Sequence, residues 1–246
     1  MLEPSWKIDI VLTGSWRGAT SVLLSNGKQH IVVDTGLPHE ASHLIASLKA
    51  KGLDPSDIQT VINTHLHVDH VMNNILFPGS TIYASQQSYD WSLSMYSDVA
   101  QERNWEELVL KYYPEIPDHD LAKKNVNWLR KFALRWWDPK RLGGRSQFRW
   151  LEQAQLPDGL AIFLTSGHVP GHVSVIVQTG PDPVVIAGDA LLSLQQDDNI
   201  LTMIPHHRTR YEFDRVRILS FGGQIIPGHD RTFRATAASP GKDPIF

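Results

Sequence analysis

INTHLHVDHVMN, residues 62–73, puts three histidines and one aspartate into six consecutive positions, 65–70. The β-rich run that leads into it, TVINTH at 60–65, reads as a buried strand that ends at the cluster. Positions i and i+2 of an extended segment point the same way, so His65 and His67 can meet one ion. Asp69 and His70, past the bend, can aim at a second site nearby. Imidazole and carboxylate suit zinc and similar divalent ions. The chain has no cysteine, so disulfides and thiolate sites are excluded and any metal must use histidine and carboxylate.

Further candidate ligands sit at the ends of other apolar runs. SGHVPGHVS offers His168 and His172, IAGDAL offers Asp189, and IIPGHD offers His229. Strand ends and loops on a rigid scaffold are where function collects.

Outward from these motifs, strand and helix signals alternate. KIDIVLTG, TSVLLSNG, QHIVVDTG, TVINTH and STIYAS read as strands in the first half. PHEASHLIASLKAKG reads as a helix, with Leu44, Ile45 and Leu48 at helical spacing and Gly52 as its stop. After residue 150, GLAIFLTSG, HVSVIVQTG, PVVIAGDA and QIIPGHD read as strands and YEFDRVRILSFGG as a helix. Two similar halves of this kind predict a layered α/β protein. Residues 86–150 differ. They hold six of the eight tryptophans (Trp91, Trp105, Trp128, Trp136, Trp137 and Trp150). Val126, Leu129, Phe132, Ala133 and Trp136 keep helical spacing, and Pro114, Pro117 and Pro139 interrupt it. Two or three helices inserted between strands are expected there.

With 246 residues, 41% hydrophobic and 20% charged, the chain is long enough for one sizeable core. We read 1–246 as a single domain. A net charge of −3 predicts no general affinity for nucleic acid or anionic membranes. No basic n-region with an apolar run opens the sequence, and nowhere do 18 apolar residues run together. The expected location is the cytoplasm, without membrane association.

The ordered series THLHVDH, GHVPGH, AGDA and PGHD resembles the metallo-β-lactamase-fold hydrolases, from the VVDTG strand to residue 230. The resemblance implies a four-layer αββα sandwich carrying a helical insertion. It implies one metal held by His65, His67 and His172, a second held by Asp69, His70 and His229, and Asp189 bridging the two. Asp34 would orient a ligand from behind. His168 matches a motif histidine expected to be structural. The implied cofactor is two divalent ions, zinc first, with iron or manganese as alternatives. Two such ions bring +4 against −2 from Asp69 and Asp189, which favours a metal-bound hydroxide able to attack a carbonyl or phosphoryl centre. Asp69 would take or pass a proton.

Within the superfamily, the bridging Asp189 argues against a true β-lactamase, and His67 stands where flavodiiron proteins carry glutamate. The GHVPGH and GDA pair is most similar to N-acyl-homoserine lactonases and hydroxyacylglutathione hydrolases. Lactone or ester hydrolysis is therefore expected first. Phosphodiester or nucleic-acid cleavage, and β-lactam or thioester hydrolysis, are the alternatives; a persulfide-dioxygenase-like enzyme would hold a single iron. Many such lactonases carry a tyrosine three residues after the bridging aspartate. This chain has Leu192 there, with Tyr211 and Tyr89 as candidate replacements. Residues 121–150 carry nine basic side chains (Lys123, Lys124, Arg130, Lys131, Arg135, Lys140, Arg141, Arg145 and Arg149) against Asp138 alone. Interleaved with tryptophans they can bind a phosphate backbone; a solvated helical face is the favoured account. The tryptophans are expected to form either a wall over the metals for a small-molecule substrate or a homodimer interface. His206 and His207 are expected on a surface loop, and His30, His39, His43 and His119 on the surface or in packing.

Overall fold

Two mixed sheets lie face to face with helices outside both. The structure, a computed structural model, describes residues 6–15, 17–101, 104–115, 130–180, 182–194 and 205–236. The first sheet runs β1 (Lys7–Leu12), β2 (Ser21–Ser25), β3 (His30–Val33), β4 (Thr60–Ile62), β5 (Thr81–Ala84) and β6 (Phe148–Trp150), in that spatial order. Its first three strands are antiparallel; β3 to β6 are parallel. The second sheet has the order β11 (Phe233–Ala235), β10 (Gly223–Pro227), β9 (Pro183–Gly188), β8 (Val173–Gln178) and β7 (Leu160–Leu164). Only the β9–β10 pair is parallel.

The period-2 alternation of the strands builds the layers. Val22, Leu24, Ile31, Val33 and Ile62 from the first sheet meet Val175, Val177, Val184, Ile186 and Ile226 from the second in one core. The alternate residues Leu23, Val32, Val61 and Ile82 face outward, onto Leu44 and Leu48 of α1 (Ala41–Ala50) and onto the helices that follow β5. Val185, Ala187 and Ile225 face outward from the second sheet onto Ile218 of α5 (Arg208–Ser220). Strands buried on both faces need apolar residues at nearly every position, which is why these runs are continuous rather than alternating in the sequence. This is the expected αββα sandwich.

Between β4 and β5 lies the one-turn helix α2 (Val68–Val71); between β5 and β6 lie α3 (Gln86–Gln101) and α4 (Trp105–Tyr112). The described part of the stretch 86–150 is therefore largely helical but does not end as a helix. Phe148–Trp150 closes it as a sixth strand, parallel to β5 and paired through Ile82 with Phe148 and Ala84 with Trp150. Three residues are too few for periodicity to declare a strand. β11 escaped notice for the same reason. Val126, Leu129, Trp128, Lys123, Lys124, Pro117 and His119 lie outside the described residues. No described helix is long and apolar enough to cross a membrane.

Candidate metal centre

The sheets deliver the cluster at their strand ends. β4 ends at Ile62, and Asn63, Thr64 and His65 follow it, all buried. His67 stands directly before α2, so Asp69 and His70 ride on that helix's single turn and face differently from His65. β3 ends just before Asp34, β9 just before Asp189, and β10 just before Gly228 and His229. His168 comes from the loop joining β7 to β8.

Asp189, fully buried, occupies the middle. Its Oδ2 lies 3.4 Å from His168 Nε2 and 3.8 Å from His65 Nε2. Its Oδ1 lies 3.1 Å from His70 Nε2 and 3.2 Å from His229 Nε2. His67 Nδ1 is 3.2 Å from His168 Nε2. Asp69 Oδ2 is 3.4 Å from His229 Nε2 and 3.9 Å from His70 Nε2. Two groups result, each with its ligand-type atoms within 4.8 Å of one another: His65, His67, His168 and Asp189, and then Asp69, His70 and His229. Gly228 has to be glycine for this approach, because a Cβ there would run into Asp189 Oδ1.

The donor set fits divalent cations. Nε2 of His65, His70 and His229 and both oxygens of Asp189 are buried without a hydrogen-bond partner. An unsatisfied buried polar atom costs about 1–3 kcal/mol, so five of them in one place need a common partner. Cations that accept imidazole and carboxylate lone pairs together are that partner. The charge balance agrees. Burial pushes His65 well below its ordinary pKa and His67 down to about 4, which keeps these imidazoles neutral with a lone pair to give. Burial opposes protonation of His70 and His229 too. There Asp189 outweighs it, with Asp69 and, at His70, Asp34, so His70 is held well above its usual range and His229 at about 9. The carboxylates call for positive charge at the second group.

Asp34 stands behind the cluster in the left-handed region, φ 57°. Its Oδ1 accepts from the Thr64 amide at 2.9 Å, and its Oδ2 accepts from Thr64 Oγ1 at 2.7 Å and His70 Nδ1 at 2.8 Å. With the His70 ring proton fixed on Nδ1, Nε2 is left as the lone-pair atom facing Asp69 and Asp189. Asparagine tolerates the same backbone conformation but turns an N–H group toward one of these donors. Asp34→Asn is expected to keep the fold and weaken metal binding about 10–100-fold, read by competition with a chromogenic chelator. Unchanged affinity would remove Asp34 from this role.

A family model described as the metallo-beta-lactamase superfamily matches residues 14–229. The chain belongs to this superfamily. It is 27% identical over 219 residues to human metallo-beta-lactamase domain-containing protein 1, covering 88% of this chain and 64% of that one. It is 25% identical over 197 residues to the N-acyl homoserine lactonase AttM of Azorhizobium caulinodans, covering 76% of this chain and 63% of the relative. The chain thus spans a little under two thirds of both proteins. The solved structure of AidC, described as a dizinc quorum-quenching lactonase in complex with a product, superposes with a TM-score of 0.61 at 16% identity, covering 97% of this chain and 90% of that one.

The two groups hold six of the seven side chains read as ligands, together with His168; His172 is in neither group, its ring 4.9 Å from that of His65. The His172 ring has no lone pair to spare: Nε2 accepts from the Asp189 amide at 3.0 Å, and Nδ1 faces Thr165 Oγ1 at 2.8 Å. Burial holds its pKa down at about 3, consistent with that neutral tautomer. Gly188, at φ 54°, admits the ring, since a Cβ there would sit 2.8 Å from Nε2. The second histidine of the GHVPGH motif thus accepts from the Asp189 backbone, and the first lies within the first group of donors.

The tyrosines also fall differently. Tyr89 packs on Phe148 and Trp150, and the ring centroid of Tyr211 is 6.5 Å from that of His168. Leu192 is buried, and its carbonyl accepts from the His229 amide at 2.9 Å. Tyr113, which no sequence rule singled out, brings its hydroxyl to 3.4 Å from His67 Nε2. His206 is half-buried rather than a surface residue: Nδ1 donates to the Tyr112 carbonyl at 2.7 Å, and the ring lies 5.9 Å from Trp91. His207 is exposed, as expected. The described tryptophans divide. Trp91 lies 6.2 Å from His67, whereas Trp137 stacks on Tyr96 at 3.8 Å. Among the basic residues, Arg141 donates to the Met72 carbonyl and Asn73, and Arg145 lies over Tyr89 and Trp150.

Proposed function

We propose that the chain is a hydrolase that works with two divalent ions, zinc first, on a lactone or related ester. The observation that carries the reading is the Asp189 carboxylate, whose two oxygens divide between the two groups of donors. In this assignment His65, His67 and His168 hold one ion, Asp69, His70 and His229 hold the other, and Asp189 is shared. When bound, such a pair supplies Lewis acidity and an activated water.

The chain's own groups do the rest. Asp34 and Thr64 set the His70 tautomer, His172 pins the Asp189 backbone, and the Ser15 carbonyl accepts from His229 Nδ1 at 2.7 Å and fixes that ring. Of the two carboxylates facing the donors, Asp69 is the one with solvent access, its side chain 11% exposed against none for Asp189. It is placed to receive a proton from the water and release it. Trp91 and Tyr113 put aromatic surface beside His67, which suits a substrate with an apolar group beside its hydrolysable bond. The lactonases among the relatives support a lactone as the first candidate.

The test loads the purified protein with zinc, counts ions per chain, and assays lactones, esters, thioesters, β-lactams, phosphodiesters and single-stranded RNA. We expect close to two ions, turnover led by a lactone or ester, and loss of both on chelation. A single tightly held iron would replace the hydrolytic reading with an oxygenase one. Cleavage confined to phosphodiesters or RNA would replace the substrate.

A further inference from the structure

Helix α5 buries Tyr211, Asp214 and Ile218 along one face, three and four residues apart. A charge on the buried face of a helix is costly unless it is paired. Asp214, fully buried, has partners on both oxygens. Its Oδ1 lies 3.1 Å from Arg210 Nε and 3.5 Å from Arg217 Nη1, on the same helix. Its Oδ2 accepts from the Gly167 amide at 3.0 Å. Gly167 directly precedes His168, which belongs to the first group of donors.

The other imidazoles of the two groups are oriented through their second ring nitrogen, as metal-binding histidines usually are. His65 Nδ1 meets Thr64 Oγ1, His67 Nε2 meets the Tyr113 hydroxyl, His70 Nδ1 meets Asp34, and His229 Nδ1 meets the Ser15 carbonyl. His168 differs: its Nδ1 is buried, and no hydrogen-bond partner meets it among the described residues. Its direction has to come from its main chain. Three main-chain groups there are held by α5 and the two residues before it. The Gly167 amide donates to Asp214, the Gly167 carbonyl accepts from the His207 amide at 3.0 Å, and the His168 carbonyl accepts from the His206 amide at 2.8 Å. Loop and helix are in direct contact, because a Cβ on Gly167 would run into the Tyr211 backbone. Only the first of the three bonds depends on a side chain.

We propose that Asp214 is a positioning residue for His168: through the Gly167 amide it fixes the main chain that aims His168 Nε2 at His67 and Asp189. This rests on the two-ion reading above. The arginines balance the charge of Asp214, and its second oxygen is spent on the loop.

Asp214→Asn keeps the shape but carries one oxygen. Charge-assisted hydrogen bonds are the stronger, so that oxygen stays with the guanidinium groups and the amino group meets the Gly167 N–H, donor against donor. Zinc is withdrawn stepwise from the loaded protein with a chromogenic chelator, and the visible spectrum of cobalt-loaded protein is recorded beside it. In Asp214→Asn we expect one ion weakened about 10–100-fold, the other held as in wild type, and altered cobalt bands. Gly167→Ala keeps the carboxylate and both arginines but pushes the same loop off α5, so it should weaken the same ion. Arg210→Gln leaves the Gly167 bond in place and should hold both ions as wild type does. A lower melting temperature with both ions at wild-type strength in Asp214→Asn and Gly167→Ala would overturn the proposal and leave the two-ion reading intact. Equal weakening of both ions, or loss of the fold in both variants, would overturn it too, by making the contact a general support. A wild type that takes up no zinc would overturn the two-ion reading and the proposal with it.

Discussion

Asp189→Asn is expected to lower hydrolytic activity by more than 100-fold and to take metal content from about two ions per chain toward one or none. The floor comes from groups behind a metal ligand, whose loss alone costs about 10–100-fold. Asp189 stands in front, within 3.1–3.8 Å of four imidazole nitrogens drawn from both groups. The amide has nearly the same shape, so the packing between β9 and β10 is retained. It lacks the negative charge that offsets two divalent cations, and one of its atoms carries hydrogens where a lone pair is needed. The same substitution removes the negative charge that pushes His70 and His229 above the usual imidazole range. Zinc content by mass spectrometry, with circular dichroism to confirm the fold, checks it. His206→Ala, which loses a hydrogen bond to the Tyr112 carbonyl and a ring contact with Trp91 but no donor of either group, is the comparison and should lose far less. Equal losses in the two variants would undo the assignment of Asp189 as the shared ligand.

His168→Ala and His172→Ala should separate by at least an order of magnitude, although the two residues are four apart in one motif. His168 Nε2 lies 3.2 Å from His67 Nδ1 and 3.4 Å from Asp189 Oδ2, inside the first group. Its removal strips one of three imidazoles there and should release one ion, with activity falling more than 100-fold by the same comparison with outer partners. On the proposed assignment His172→Ala leaves every ligand in place and orphans the buried Asp189 amide instead. The expected cost is about 1–3 kcal/mol of stability, seen as a lower melting temperature, with activity down about 10–100-fold because the shared carboxylate is less well held. Two ions retained in His172→Ala and one in His168→Ala is the pattern to look for. The reverse pattern would return His172 to the ligand set.

The α/β layering, most strand positions and the chemistry of the centre were legible in the sequence because they rest on local rules. Continuous apolar runs mark strands buried on both faces, and a cluster such as His65, His67, Asp69 and His70 at a strand end declares its ligand types without a partner. Other features depended on distances that no local spacing encodes. Whether His168 or His172 faces Asp189 is decided by where β8 begins and by which backbone amide meets each ring, a matter of packing across 17 residues of separation at Asp189. Tyr113 reaches His67 from 46 residues away because α3 and α4 fold back over β5. Sequence alone settled which atoms could bind a metal; only the tertiary structure decided which lone pairs were still free to do so, because hydrogen bonds from distant segments claim some rings and leave others open.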